Sequence, residues 1–172
     1  MKILITGTTG LSQELANVHV ADTVACVSKS TGHDILNIDQ WGFNFLDCDL
    51  VYNCAYDGIG QQLVLDYFFN HWQHDQTKCI VSIGSKVISQ PRLEHAIDHQ
   101  YWPYRTHKQY LQLMHDQMWP TALCNLKIIN PGAFDSNMIL HLNVPKIKIQ
   151  VLAKQIQNFA CDPTVKRVDL WL

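Results

Sequence analysis

A single doubly wound α/β domain, built on a mainly parallel sheet of about six to seven strands, is the architecture this sequence predicts. Three observations carry that expectation. Short apolar runs alternate with helix-length segments, no tight hairpin signal joins one run to the next, and a glycine-bracketed turn follows the first run at once. Strands separated by helices form βαβ units, whose right-handed crossovers lay helices on both faces of the sheet. A chain of 172 residues has the size of one such domain.

The first strand is expected at Lys2–Thr6, with a helix from Leu11 to about Val18 after the glycine turn. Thr23–Val27 reads as the second strand and Asp34–Ile38 as a weak third. Asp49–Asn53, Cys79–Gly84 and Cys124–Asn130 follow as further strands, with Val168–Leu172 as a candidate last one. Gly60–His74 places Leu63, Tyr67, Phe68 and Trp72 at helical spacing. A longer helix is expected over Trp102–Trp119. Pro103 falls in its first turn, where a missing N–H costs nothing, and Pro120 stops it.

Hydrophobic residues make up 47% of the chain and charged residues 16%, enough apolar surface for a buried core. Thirteen Lys and Arg against fifteen Asp and Glu leave a formal charge of -2, without the basic excess of a nucleic-acid binder. No apolar run reaches the roughly 18 residues that a bilayer crossing needs. The N-terminal run breaks at Gly7, unlike a signal peptide. Six cysteines lie far apart with no CxxC pair, which points to reduced thiols and a cytoplasmic location. His71 with His74 and His95 with His99 could each share a helix face, but no Cys or acid cluster completes either pair. Surface or capping histidines are expected, and no metal.

Gly7-Thr8-Thr9-Gly10 lies between a strand and a helix, the context of a dinucleotide-binding turn. Gly7 permits the tight turn, and Gly10 lets the backbone approach a pyrophosphate favoured by the helix N-terminus. The third position of the fingerprint is Gln13 rather than glycine, so a purely structural turn is the other reading. After the second strand, where an acid would bind the ribose of NAD, the chain has Ser28-Lys29-Ser30. A cation between two hydroxyls suits a 2′-phosphate, so NADP(H) is expected over NAD(H) if a cofactor binds. A solvated loop lysine is the alternative.

Tyr104 and Lys108 stand four residues apart on the long helix, hence on one face. A phenol titrates near pH 10, and a neighbouring cation would lower it toward working pH. Cys79–Gly84 leads into Ser85 at the carboxyl end of a strand, where ligands bind in open α/β sheets. Pro131-Gly132 ends the next strand and Ser136 follows, over the same crevice.

In this order the turn Gly7–Gly10, Ser85, Tyr104 with Lys108, and the segment Pro131–Met138 resemble the short-chain dehydrogenase/reductase family, with an unusually compact chain. The resemblance implies one NAD(P)-binding Rossmann domain over 1–172, with a short substrate region at about 131–172. It implies a small carbonyl or alcohol substrate and a homodimer or homotetramer, paired through the two long helices. Tyr104 would exchange the proton with the substrate oxygen. Lys108 would bind the nicotinamide ribose and depress the tyrosine, and Ser85 would hydrogen-bond the reacting oxygen. Cofactor contacts would come from Gly7, Thr8, Thr9, Gly10 and Leu11, and from Ser28, Lys29 and Ser30. Asn37 and Ile38 would lie near adenine. Asn53, Cys54 and Ala55 would lie under the cofactor, and Lys108, Pro131, Gly132 and Ser136 on its nicotinamide side.

Some positions depart from the family pattern. The helix asparagine that holds a proton-relay water has no clear counterpart; Gln62 is nearest and Asn70 the alternative. Lys29–Asp34 is too short for the usual helix between strands two and three, and little chain follows Met138. A non-catalytic, redox-sensing NAD(P)-binding module is therefore a second expectation. An epimerase or dehydratase of the extended branch is a third, disfavoured by the short C-terminal part.

Overall fold

The structure is a computed structural model that describes residues 1–89, 101–135 and 145–170. Six strands run in chain order: β1 Lys2–Thr6, β2 Thr23–Val27, β3 Leu50–Asn53, β4 Cys79–Ile83, β5 Asn125–Pro131 and β6 Arg167–Leu170. They form one sheet in the order β2-β1-β3-β4-β5-β6, and every pairing is parallel. Four α-helices connect them: α1 Leu11–Val18, α2 Gly60–Trp72, α3 Tyr101–Met118 and α4 Ile149–Cys161.

Both faces of the sheet are covered, and the alternation within strands shows how. Ile3 and Ile5 of β1 point into one apolar layer with Leu11 and Leu15 of α1 and Leu152, Ile156 and Phe159 of α4. Leu4 between them points into the other layer, with Val64, Phe68 and Trp72 of α2 and Leu111 of α3. Apolar side chains toward both layers make near-continuous apolar strands, as a buried parallel sheet requires. Phe68, Phe69 and Trp72 are thus core residues.

The weak third strand is corrected. Ile35–Gln40 forms 3₁₀ turns, opened by Asp34, whose carboxylate accepts the Leu36 N–H at 3.0 Å. Ile35 and Ile38, three residues apart, both enter the core, a helical rather than a strand alternation. A parallel crossover takes about ten residues or more, and 28–33 supplies too little chain for one. β2 is therefore an edge strand. The last strand begins one residue earlier than expected, at Arg167, and 171–172 lie outside the described residues.

β2 is added on one side of β1 and β3 to β6 on the other, so the carboxyl ends of β1 and β3 define the crevice where open α/β sheets take ligands. Within the expected substrate region, α4 and β6 belong to the sheet architecture. No helix among the described residues is long and apolar enough to cross a membrane, and no group of three or more His, Cys, Asp or Glu among them could hold a metal ion.

Candidate functional site

The turn after β1 has the backbone that its glycines allow. Gly7 has φ 108° and Gly10 φ 57°, a region that disfavours side chains. A Cβ on Gly7 would stand 2.3 Å from Ser12 Oγ, whereas nothing lies within 4 Å of one built on Gly10. Gly10 caps α1 without any side-chain hydrogen bond to the helix N–H groups. Ser12, not Gln13, packs inward and donates to Thr6 O at 3.0 Å. Gln13 is exposed and bonded to Asn17, so the absent third glycine forces no clash between helix and strand.

Beside this turn, Thr8 Oγ1 donates to Ser28 Oγ at 3.4 Å, and Ser28 and Ser30 hydroxyls meet at 2.8 Å. Thr9 is exposed and Leu11 is buried. Lys29 is solvent-exposed and paired with Asp34 at 3.1 Å, a partner the sequence reading did not supply. Asn37 is exposed, while Ile38 is buried toward α2 and lines a cavity of about 260 Å³ with Leu63, Tyr67 and His71. That cavity includes none of Ser85, Tyr104 or Lys108.

Thr6 Oγ1 accepts the N–H groups of Cys54 and Ala55 at 2.9 and 3.0 Å, tying the end of β3 to the glycine turn. Burial pushes the Cys54 thiol up to about 12, so it is a small apolar group rather than a nucleophile. Asn53 is fully buried; its Nδ2 donates to Gln61 O at 2.7 Å, and Gln61 Nε2 returns to Asn53 O at 2.8 Å. Lys108 Nζ enters this cluster from α3, donating to Gln61 Oε1 at 2.5 Å and to Ile83 O at 2.7 Å. No carboxylate among the described residues pairs with it, and burial pulls its ammonium down to about 7.

Ser85 follows β4, its hydroxyl accepting the Val87 N–H at 3.3 Å, and it lies near enough to Tyr104 to influence the phenol. Lys108 Nζ lies 5.4 Å from the centre of the Tyr104 ring. Burial nonetheless holds the phenol above its ordinary value, with the nearby Ser85 side chain opposing; the expected depression by lysine does not prevail. Tyr56 meets Tyr104 edge-on at 4.9 Å between ring centres, and its hydroxyl bonds His107 Nδ1 at 3.0 Å. Gly84 approaches Asn130 so closely that a Cβ would lie 2.0 Å from Oδ1. Pro131 is buried, Gly132 N–H donates to Leu170 O at 2.9 Å, and Ser136 lies outside the described residues, as do His95 and His99.

These residues fit a nicotinamide dinucleotide. The open space at Gly10, the uncapped start of α1 and the hydroxyls of Thr8, Ser28 and Ser30 suit its phosphates, and Lys108 suits a ribose hydroxyl.

No protein-family model matches the chain, and no curated protein matches it in sequence. Solved structures do. A short-chain dehydrogenase from Burkholderia cenocepacia J2315, in complex with NADP, superposes with a TM-score of 0.78 at 13% identity, covering 99% of this chain and 88% of its own. A 3-alpha-hydroxysteroid dehydrogenase from Pseudomonas sp. B-0831, complexed with NADH, gives 0.70 at 14% identity over 98% and 95% of the two chains. A short-chain dehydrogenase from Leptospira borgpetersenii with bound NAD+ gives 0.69 at 16% identity over 98% and 90%. The fold is that of the short-chain dehydrogenases.

Against that short-chain dehydrogenase fold, the residue that sequence reasoning missed is Gln61. Gln62, the nearest expected counterpart of the relay asparagine, donates instead to His107 O at 2.6 Å. Asn70 is exposed and bonded to Asp66. One step along a helix rotates a side chain by about 100°, which is why the neighbouring glutamine and not Gln62 reaches Lys108. Tyr56, just after β3, is a further neighbour of Tyr104 that sequence spacing does not indicate.

Proposed function

We propose that this chain is an oxidoreductase of the short-chain type, one domain over 1–172, that uses a nicotinamide cofactor, NADP(H) in preference to NAD(H), to interconvert a carbonyl and a secondary alcohol. The observation that carries this is the convergence of Ser85, Tyr104 and Lys108 at the carboxyl edge of the sheet, with β3 alone between β4 and the strand that leads into the glycine turn. The bound nicotinamide supplies the hydride. In the reducing direction Tyr104 gives its proton to the substrate oxygen, a role suited to a phenol that burial keeps protonated near neutrality. Ser85 hydrogen-bonds the same oxygen. Lys108 holds the nicotinamide ribose and, when charged, stabilises the phenolate left after proton transfer. Thr8, Ser28, Lys29 and Ser30 read the adenosine end, with Asn37 and Ile38 near adenine. Asn53, Cys54 and Ala55 underlie the cofactor, and Pro131, Gly132 and Ser136 border the nicotinamide.

The exposed Tyr110 and Leu113 on α3 support a homodimer or homotetramer, and six free cysteines agree with a reducing, cytoplasmic setting. The second reading, a non-catalytic NAD(P)-binding module, draws on one observation: Lys108 already donates to two acceptors of the protein itself.

The test is a fluorescence titration with NADPH and NADH, followed by NADPH oxidation over a panel of aldehydes and ketones. Wild type is expected to bind NADPH and turn over, and Tyr104→Phe to bind without turnover. Activity retained in Tyr104→Phe refutes the assignment of the proton donor. Binding without turnover in wild type selects the non-catalytic module, and binding of neither nucleotide overturns both readings.

A further inference from the structure

We propose that Gln61 is a positioning residue for Lys108, its side-chain oxygen taking the ammonium directly where the short-chain pattern has only an asparagine-held water. This rests on the reading of Lys108 given above. Gln61 and Lys108 are only 1% and 3% exposed. The amide of Gln61 is used at both ends: Oε1 accepts from Lys108 Nζ at 2.5 Å, and Nε2 donates to Asn53 O at 2.8 Å and Ile83 O at 3.2 Å. Lys108 donates to that same Ile83 carbonyl at 2.7 Å. The glutamine orientation is therefore not free: reversing the amide would point an NH₂ group at an ammonium and an oxygen at two carbonyls.

The consequence is electrostatic as well as geometric. The titratable groups facing Lys108 among the described residues are Cys54 and Tyr56 after β3 and Tyr104 on its own helix, all neutral near pH 7. β4 offers it a carbonyl and α2 offers it Gln61. With no anion facing it among the described residues, the amide oxygen and the carbonyl favour the charged form against burial. Gln61 thus sets how much Lys108 is charged at neutral pH, and it aims the ammonium toward the Tyr104 and Tyr56 rings.

The experiment reads Lys108 itself. The ¹³Cε resonance of Lys108, assigned by its loss in Lys108→Met, is followed against pH in the full chain for wild type, Gln61→Met and Gln61→Glu. Both variants forfeit the two Nε2 hydrogen bonds, so a loss of packing would move Lys108 in the same sense in both. The proposal expects opposite shifts, each about one pH unit: the midpoint falls in Gln61→Met, which removes the acceptor, and rises in Gln61→Glu, which supplies a carboxylate. Unchanged midpoints, or shifts of one sign, overturn it. If the variants turn over, the pH profile of kcat/KM is expected to move with the resonance. Because the resonance needs neither cofactor nor substrate, a wild type that fails to bind NADPH would overturn the proposed function and leave this assignment separately decided.

Discussion

Asn130 Oδ1 accepts the backbone N–H of Ser85 at 3.1 Å, so a side chain at the end of β5 fixes the turn that follows β4. The other end of the same amide donates to Gln112 Oε1 of α3 and to Asp169 Oδ1 of β6, each at 3.0 Å. Asp169 in turn pairs with the buried Lys86 at 3.0 Å, one residue beyond Ser85. One buried amide therefore ties the candidate substrate serine to the helix that carries Tyr104 and to the last strand.

Asn130→Leu is expected to cost about 1–3 kcal/mol of stability, since it removes the partner of the buried Gln112 oxygen and of two part-buried groups, the Ser85 N–H and the Asp169 carboxylate. Urea denaturation measures this. Substrate KM should rise more than the Kd for NADPH, because the Ser85 turn moves while the glycine turn does not. A variant with wild-type stability would mean that Asn130 is dispensable to the fold.

Cofactor choice should respond in opposite directions to the two partners at the β2 edge. Lys29→Ala is expected to weaken NADPH binding roughly tenfold while leaving NADH nearly unchanged. Asp34→Asn releases Lys29 from its ion pair and should tighten NADPH binding. Equal NADPH affinities in wild type and Lys29→Ala would remove the lysine from the cofactor site.

Lys108 should leave a mark on stability as a function of pH. Its folded value lies near 7, below the ordinary 10.5, so between these limits the unfolded chain holds a proton that the folded chain has released. Stability of wild type relative to Lys108→Met is therefore expected to rise with pH across that window and to level off outside it. Urea midpoints of both proteins at several pH values would show it. A flat difference would mean that Lys108 titrates normally.

A second buried lysine serves architecture. Lys127 of β5 is fully buried, and its Nζ donates to Phe159 O at 2.8 Å, to Ala160 O at 3.0 Å and to Asp162 O, carbonyls at the end of α4. Lys127→Met is expected to lower stability by about 1–3 kcal/mol and to fray α4 first, visible as faster amide exchange over Phe159–Cys161. Turnover of the folded fraction should be unaffected.

The strands were legible in the sequence because apolar runs such as Lys2–Thr6 must be buried on both faces, and one face alone would have shown alternation. The glycine turn was legible for a similarly local reason: Gly7 and Gly10 adopt positive φ, which few other residues tolerate. Asp34–Ile38 misled because five residues cannot separate a strand from two inward isoleucines at helical spacing.

The sequence by itself determined the order of elements, the turn at Gly7–Gly10 and the presence of Ser85, Tyr104 and Lys108 at one edge, all properties of local backbone preference and chain topology. Only the tertiary structure decided which partners those groups meet. That Gln61 rather than Gln62 faces Lys108 depends on the rotation of α2 against α3, and that Asp34 holds Lys29 depends on how a 3₁₀ turn replaces a strand. Asn130 reaches Ser85, and Lys127 reaches the end of α4, across separations of 45 and more than 30 residues. Such contacts follow from packing, and sequence spacing carries no trace of them.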